Sequence, residues 1–284
     1  MKLSKIFALL LALCLISSAA CAATFTDAHG NVIELDDSLE AYAAVTLVGA
    51  DNAARQGETN LGDLWADALR WFAVSGEINA AFDEDDVKAG NDRIAVDAEH
   101  VVALWNGGNL RADIAEGTFG AEALAEVLPF PNKVAVVYMT GAQLLETLEA
   151  ASQGLPYTAE TADACASLMQ VSGLTYTVDT TKAYDALEAY GDHWFTAGSV
   201  SRVRIDDVNG QPFDAEATYA VVTSNANFNG MDSSYVLKAA AEANEQSAVT
   251  TAVVRDVVFR FIAAELNHQV GEAYAAPQGR LTIL

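Results

Sequence analysis

From Thr59 onward the apolar residues fall three and four positions apart: Leu61, Leu64, Trp65, Ala68, Leu69 and Phe72. That spacing lines one stripe of an α-helix. Val253, Val254, Val257, Val258, Phe261, Ile262 and Leu266 repeat the pattern and predict a long helix late in the chain. Between the two, the pattern changes. After His100 the chain is continuously apolar to Trp105, as a strand covered on both faces would be. Lys133 to Met139 also reads as a strand. Thr140 to Gln143 then has the form of a capping box, and Leu144, Leu145 and Leu148 supply the face of the helix it opens. Gly120 to Leu128 predicts a short helix ended by Pro129. Val171 to Val178, Val200 to Ile205 and Tyr219 to Thr223 are β-like, and Asn209-Gly210 is a hairpin signal. Leu281 to Leu284 forms a closing strand. Residues 23–45 hold two short β-like runs around a polar turn, and residues 76–98 are a polar, acidic surface excursion. No repeat or Gly/Ser-rich linker interrupts this series. Hairpins mixed with helices, without a regular βαβ alternation, predict an α+β fold with mixed sheets flanked by helices.

The length, 284 residues, suits one large domain or two small ones. Hydrophobic residues at 52% and charged residues at 19% provide for a core and exclude a disordered chain. The formal charge of −24 argues against nucleic acid as a partner, because the arginines are scattered and form no basic patch. The opening residues read as an export signal. Lys2 and Lys5 precede an apolar stretch from Ile6 to Ile16, too short to span a bilayer, and small residues follow. Two processing routes fit: cleavage after Ala20-Cys21-Ala22, or a lipobox-like Ser18-Ala19-Ala20-Cys21 that leaves Cys21 lipidated. Either places the protein outside the cytoplasm, with no transmembrane segment. Cys165 is then the remaining thiol, so an internal disulfide is not expected, and a small core filler is its simplest role. The division that follows is a signal peptide over 1–22, a β-like N-terminal extension over 23–54 and one domain over 55–284.

Chemistry enters at "ALWNGGNLRADI", Ala103 to Ile114. A buried strand that ends in Asn106-Gly107-Gly108-Asn109 delivers those residues to one edge of a sheet. Two glycines there can take positive φ and let a ligand approach the backbone closely. Arg111 follows with a planar fork suited to phosphate or carboxylate. A plain strand-to-helix turn with a surface arginine explains the same letters.

Other segments bear on the choice. "RQGETNLGDLWADAL" from Arg55, "VLPFPNKVAVVYMTGAQLLETLE" from Val127, "QVSGLTYTVD" from Gln170 and "YAVVTSNANFNGMDSSY" from Tyr219 stand in order around that stretch. Together they resemble the C-terminal, substrate-binding domain of the 5′-nucleotidase family, from Arg55 to about residue 265. The resemblance implies a pocket for a nucleotide or nucleoside. Arg55 and Arg111 match positions on the phosphate–ribose side. Asn106, within the segment that includes Gly108, matches an asparagine near the base. Phe130 matches one of two aromatics that sandwich the base, with Asn132 a polar contact beside it, and Asp232 matches the acceptor for ribose hydroxyls. Phe130 as core filler beside Pro129 and Asp232 as a turn cap are the plainer readings.

The chain also departs from the family pattern. Ala226 stands where the second aromatic belongs, and Phe228 would substitute if the segment were a strand, since alternate residues share a face. Gly230-Met231-Asp232-Ser233 has two glycines fewer than the usual turn. Asp51 stands where some bacterial relatives carry an arginine, and would oppose an anion.

Family members hydrolyse nucleotides with a separate metallophosphoesterase domain that holds two divalent metals. This sequence has four widely spaced histidines, no Gly-Asn-His-Asp/Glu and no His-x-His. Asp27-Ala28-His29 imitates a first metal element, but no buried strand precedes it, and a hairpin turn fits better. No G-x-S-x-G or Walker A motif appears. No catalytic residue, metal ligand or cofactor is therefore assigned. The expected role is an exported nucleotide-binding domain; the alternatives are a non-catalytic subunit acting with a separate metallophosphoesterase chain, or a degenerate structural domain.

Overall fold

The computed structural model describes residues 23–26, 32–35, 40–82 and 94–284. The segment read as an export signal, the Asp27-Ala28-His29 stretch and residues 83–93 of the acidic excursion lie outside the described residues.

The centre is a five-stranded mixed sheet. Its spatial order is Ala248–Val253, Lys133–Thr140, Thr218–Ser224, Val101–Asn106 and Met169–Ser172. Thr218–Ser224 runs parallel to Val101–Asn106 and antiparallel to Lys133–Thr140. Met169–Ser172 is antiparallel to Val101–Asn106, with Asn106 opposite Met169. The strand interiors are largely apolar because both faces are covered. Val101, Ala103, Trp105, Val134, Val136, Tyr138, Ala220 and Val222 enter one core; Val102, Leu104, Val137, Met139, Tyr219 and Val221 enter a second on the other side. Side chains alternate across a strand, so one run of letters serves two cores.

Among the described residues, seven α-helices pack around this sheet: α1 (Ala53–Gln56), α2 (Asn60–Val74), α3 (Ala121–Val127), α4 (Gly141–Ala151), α5 (Asn225–Phe228), α6 (Tyr235–Ala243) and α7 (Val254–Glu265). The first core takes α2 and α7, and the second takes α4 and α6. Every apolar residue named for the first stripe is fully buried on α2, and Thr59 caps it by accepting from the Gly62 amide. The capping box also forms: Gln143 N donates to Thr140 Oγ1, and Thr140 N donates to Gln143 Oε1. Cys165 is buried and unbonded to another cysteine.

Smaller sheets complete the fold. Leu174–Val178 pairs with Val203–Val208 and with Leu281–Ile283. The β-like stretch expected over 171–178 is thus two strands, broken where Gly173 takes a left-handed φ of 80°. Asn209 and Gly210 both have positive φ, as a type I′ turn requires, and Val208 and Gln211 exchange both backbone hydrogen bonds across them, although the next strand, Thr218–Ser224, belongs to another sheet. Ala23–Thr26 and Val32–Leu35 pair antiparallel. Glu40–Ala43 joins Gly117–Gly120 and Gln269–Val270, with Ala41 and Ala43 in the first core. Residues 40–54, expected within an N-terminal extension, are therefore built into the same body as the rest.

The C-terminal segment is clasped against α2. Arg280 grips both oxygens of Asp67, each at 2.8 Å, and lies 3.8 Å from Asp63. Glu58 accepts from the amides of Arg280 and Leu281, and Asp63 from that of Gln278. Burial first, then the neighbouring Glu58, pushes the Asp63 carboxyl up to about 8. Among the described residues no helix is long and apolar enough to cross a membrane.

Candidate ligand-binding site

The sheet direction decides which loops meet. Val101–Asn106 and Thr218–Ser224 are parallel, so both end at the same edge of the sheet; Lys133–Thr140 is antiparallel, so it begins there. The segments 106–111, 130–132 and 225–232 therefore converge. They enclose a cavity of about 600 Å³ whose lining includes Asn106, Gly108, Arg111, Phe130, Asn132 and Asp232. Six residues singled out along the chain thus share one wall system.

Phe130 is 44% exposed, so it is not core filler. The Arg111 guanidinium lies 5.8 Å from its ring centroid, within cation–π range. Arg111 is held by its backbone, whose amide donates to the Val127 carbonyl at the end of α3. Among the described residues its guanidinium has no hydrogen-bond acceptor. Trp105, the last large residue before the turn, points away from the cavity into the first core and stacks at a tilt on Trp65, centroids 6.2 Å apart.

Asp232 sits at φ 55°, a left-handed position that aspartate tolerates better than most side chains. Gly230 at φ 86° is the other left-handed residue of the turn. Positions 231 and 233 do not need positive φ, so Met231 and Ser233 replace glycines without backbone strain. Asp232 Oδ2 accepts from Asn106 Nδ2 at 2.8 Å, and Asn106 Oδ1 accepts from Asn109 Nδ2 at 2.7 Å. Burial raises the Asp232 carboxyl above the ordinary range, while Arg55, Arg111 and the Asn106 bond oppose that rise. Burial and Arg55 pull Arg111 down, and Asp232 opposes them.

Arg55 stands beside the cavity, outside its lining, and its charge reaches both Arg111 and Asp232. Its Nη1 donates to the Ala162 carbonyl at 2.8 Å and lies 3.8 Å from Asp163. Gln170 fixes α1 in place: its amide donates to the carbonyls of Ala54 and Gly57, and its oxygen accepts from Thr59 N. Asp51 is exposed and contributes nothing to the lining.

Two expectations need correction. Phe228 does not reach the cavity. The segment is the helical turn α5, not a strand, and two residues along a helix turn the side chain by about 200°. Ala226 faces the cavity and Phe228 packs against the second core. Gly107 and Gly108, in turn, do not adopt positive φ. They make room for the protein's own chain: a Cβ on Gly107 would fall 1.9 Å from the Ala54 carbonyl oxygen, and one on Gly108 2.7 Å from Ala166 Cβ.

Several lining residues carried no signal of their own, namely Asn109, Ala166, Asn225, Asn229 and Met231. Met231 is 58% exposed, an apolar side chain presented at the cavity. Among the described residues no group of three His, Cys, Asp or Glu side chains could hold a metal ion.

A mixed sheet with a cavity at one strand edge, lined by an aromatic, an arginine and an aspartate, is the frame of a small-molecule binding domain. The chain belongs to the 5′-nucleotidase C-terminal domain family, whose model matches residues 40–239. It is 28% identical over 188 residues to a trifunctional nucleotide phosphoesterase of Bacillus subtilis (strain 168), a match that covers 65% of this chain and 10% of that protein. Among solved structures it resembles a 5′-nucleotidase precursor of Thermus thermophilus, with 28% identity, a TM-score of 0.61, and 86% of this chain covering 39% of that one. It shares its fold with the NAD nucleotidase of Haemophilus influenzae at 15% identity and TM-score 0.57, covering 86% of this chain and 38% of that one. The chain thus spans well under half the length of these three relatives.

Proposed function

We propose that the cavity binds a nucleotide or nucleoside. The base lies on Phe130, the sugar hydroxyls donate to Asp232, and the phosphate meets Arg111 with Arg55 behind it. Asn132 supplies a polar edge. The observation that carries this reading is the union of Phe130, Arg111 and Asp232 on one cavity of about 600 Å³, with Arg111 lacking any acceptor among the described residues. On a chain of formal charge −24, two guanidiniums in one place make a local exception that an anion can use.

In this reading the domain is the substrate-binding half of a nucleotide-hydrolysing system whose metal chemistry is supplied by a metallophosphoesterase domain. Calorimetry with adenosine, AMP and a UDP-sugar tests it. AMP should bind, and Arg111→Ala should weaken AMP more than adenosine. No heat with any of the three overturns the reading. AMP hydrolysis by the purified protein with Mn²⁺ or Zn²⁺ overturns its non-catalytic part.

One observation favours a second reading, a pocket that has drifted to another ligand. Phe228 is turned into the core and Ala226 faces the cavity, so Phe130 is the one aromatic among the described lining residues. Binding of a non-nucleotide anion in preference to AMP would support that alternative.

A further inference from the structure

Asn109 is buried on the cavity wall and has no assigned part in the site. Its side chain has one described use: Nδ2 donates to Asn106 Oδ1 at 2.7 Å. Asn106 is 3% exposed, and its own Nδ2 donates to Asp232 Oδ2 at 2.8 Å. The amide of Asn106 is thus held at both ends, and its Nδ2 also lies 3.5 Å from the Ala166 carbonyl. A primary amide can be turned end for end in nearly the same volume, and its two faces are chemically opposite: one donates, the other accepts. With the NH₂ toward Asp232, the carboxylate is stabilised as an anion. With the carbonyl toward Asp232, two acceptors would meet, and the pair would be satisfied only if Asp232 took up a proton. The Ala166 carbonyl, an acceptor that would then face the Asn106 carbonyl, disfavours that second arrangement, and Asn109, by donating to Asn106 Oδ1, holds the amide in the first.

We propose that Asn109 is a positioning residue that, through Asn106, keeps Asp232 an ionised acceptor and so selects ligands that present a pair of sugar hydroxyls. Asp232 Oδ1 accepts from no described residue, so one carboxylate oxygen is fixed by the relay and the other is left to the cavity. The charged groups that act on Asp232 are Arg55 and Arg111, and both favour the anion against the burial that disfavours it. Asn106 adds to their side. Removing the Asn109 donor releases Asn106, weakens that support, and moves Asp232 protonation upward. A carboxylate that protonates at higher pH loses its acceptor role earlier as pH falls.

The selectivity part rests on the nucleoside reading of the cavity; the orientation part does not. The test therefore has two arms. In the first, the Asp232 carboxyl is followed by ¹³C NMR in the ligand-free protein, with Asp232→Asn to identify its signal. Asn109→Leu and Asn109→Ala, both without a donor, should raise the titration midpoint, while circular dichroism stays unchanged. An unmoved midpoint overturns the proposal. The wild-type protein tests the same relay without a variant: the Asn106 side-chain NH₂ resonances should shift as Asp232 titrates, and resonances blind to that titration overturn it. In the second arm, adenosine and 2′,3′-dideoxyadenosine are compared by calorimetry. Loss of the Asn109 donor should weaken adenosine by about tenfold, more at acidic than at alkaline pH, and leave the dideoxy compound within about twofold. Equal weakening of both compounds at every pH assigns Asn109 a merely structural part and overturns the selectivity claim. A wild-type protein that binds neither compound, yet shows the midpoint shift, overturns the nucleoside reading and leaves the relay standing.

Discussion

At the C-terminal clasp, Arg280 donates to the Val171 carbonyl, to both oxygens of Asp67 and to the Gln278 side chain. At the cavity, Arg111 finds no acceptor among the described residues and rests near the ring of Phe130. Both guanidiniums stand near carboxylates, yet their partners separate two uses of the same chemistry. Arg280 is consumed in holding chain to chain, and its three acidic neighbours, Glu58, Asp63 and Asp67, are engaged by amides or by the arginine. Arg111 and Asp232 each retain an unused face, and both faces open on the same space. The lesson is that a charged side chain in a fold is assigned by what remains unsatisfied after its neighbours are counted, not by its residue type.

Substitutions can break this contrast. The largest effect is expected at the clasp. Arg280→Ala leaves Asp67 without its cation in a largely buried setting and should cost about 3–5 kcal/mol of stability, read by urea unfolding. AMP binding by the folded fraction should be unchanged. Arg111→Ala reverses the pattern: stability within about 0.5 kcal/mol of wild type, and AMP affinity lower by about 1.5–3 kcal/mol if a charge-assisted bond to phosphate is lost. Phe130→Ala should reduce adenosine and AMP affinity together, by about 1–3 kcal/mol for one lost stacking face, again with an unchanged unfolding midpoint.

A smaller effect sharpens the comparison through pH. The Asp63 carboxyl is raised to about 8 on folding. Between the ordinary carboxylate range and that value the folded protein holds a proton that the unfolded chain has released, so this group's contribution to stability falls as pH rises across the interval. Asp63→Asn removes the titration and should flatten that part of the stability–pH curve. A curve unchanged by the substitution would show that Asp63 ionises normally.

Much of the fold was legible because it is written locally. The α2 stripe, the capping box at Thr140 and Gln143, and the strand from Val101 depend on neighbours within a few residues, and each stands where the pattern predicts. What escaped depends on distant contacts. Nothing near Gly107 announces that the Ala54 carbonyl will pass within touching distance. Gln170 stands in one of the segments that carry the family resemblance, but its hold on α1 joins residues far apart in sequence, as does the grip of Arg280 on Asp67. Phe228 was misplaced for a reason the sequence does contain. Ser224 followed three residues later by Asn227 is a cap: Ser224 Oγ accepts from Asn227 N, and the chain enters a helical turn there. Reading alternation across that cap put the ring on the wrong side. Within the site, Arg111, Phe130 and Asp232 were visible as chemistry in search of a place. Asn109 was not, because a buried asparagine is defined by its partner rather than by its own letter.

The loops from 106, 130 and 225 that line the cavity meet the sheet at one edge, and the far edge carries none of them. There the turn at Asn209 and Gly210 is anchored by Asn209 Nδ2 on the Glu99 and Val101 carbonyls, with open space around Gly210. A reporter or tether spliced at Gly210 would hang behind the molecule and leave its mouth open. That gives the domain a natural handle for immobilisation on a sensor surface, with the cavity still facing the solution.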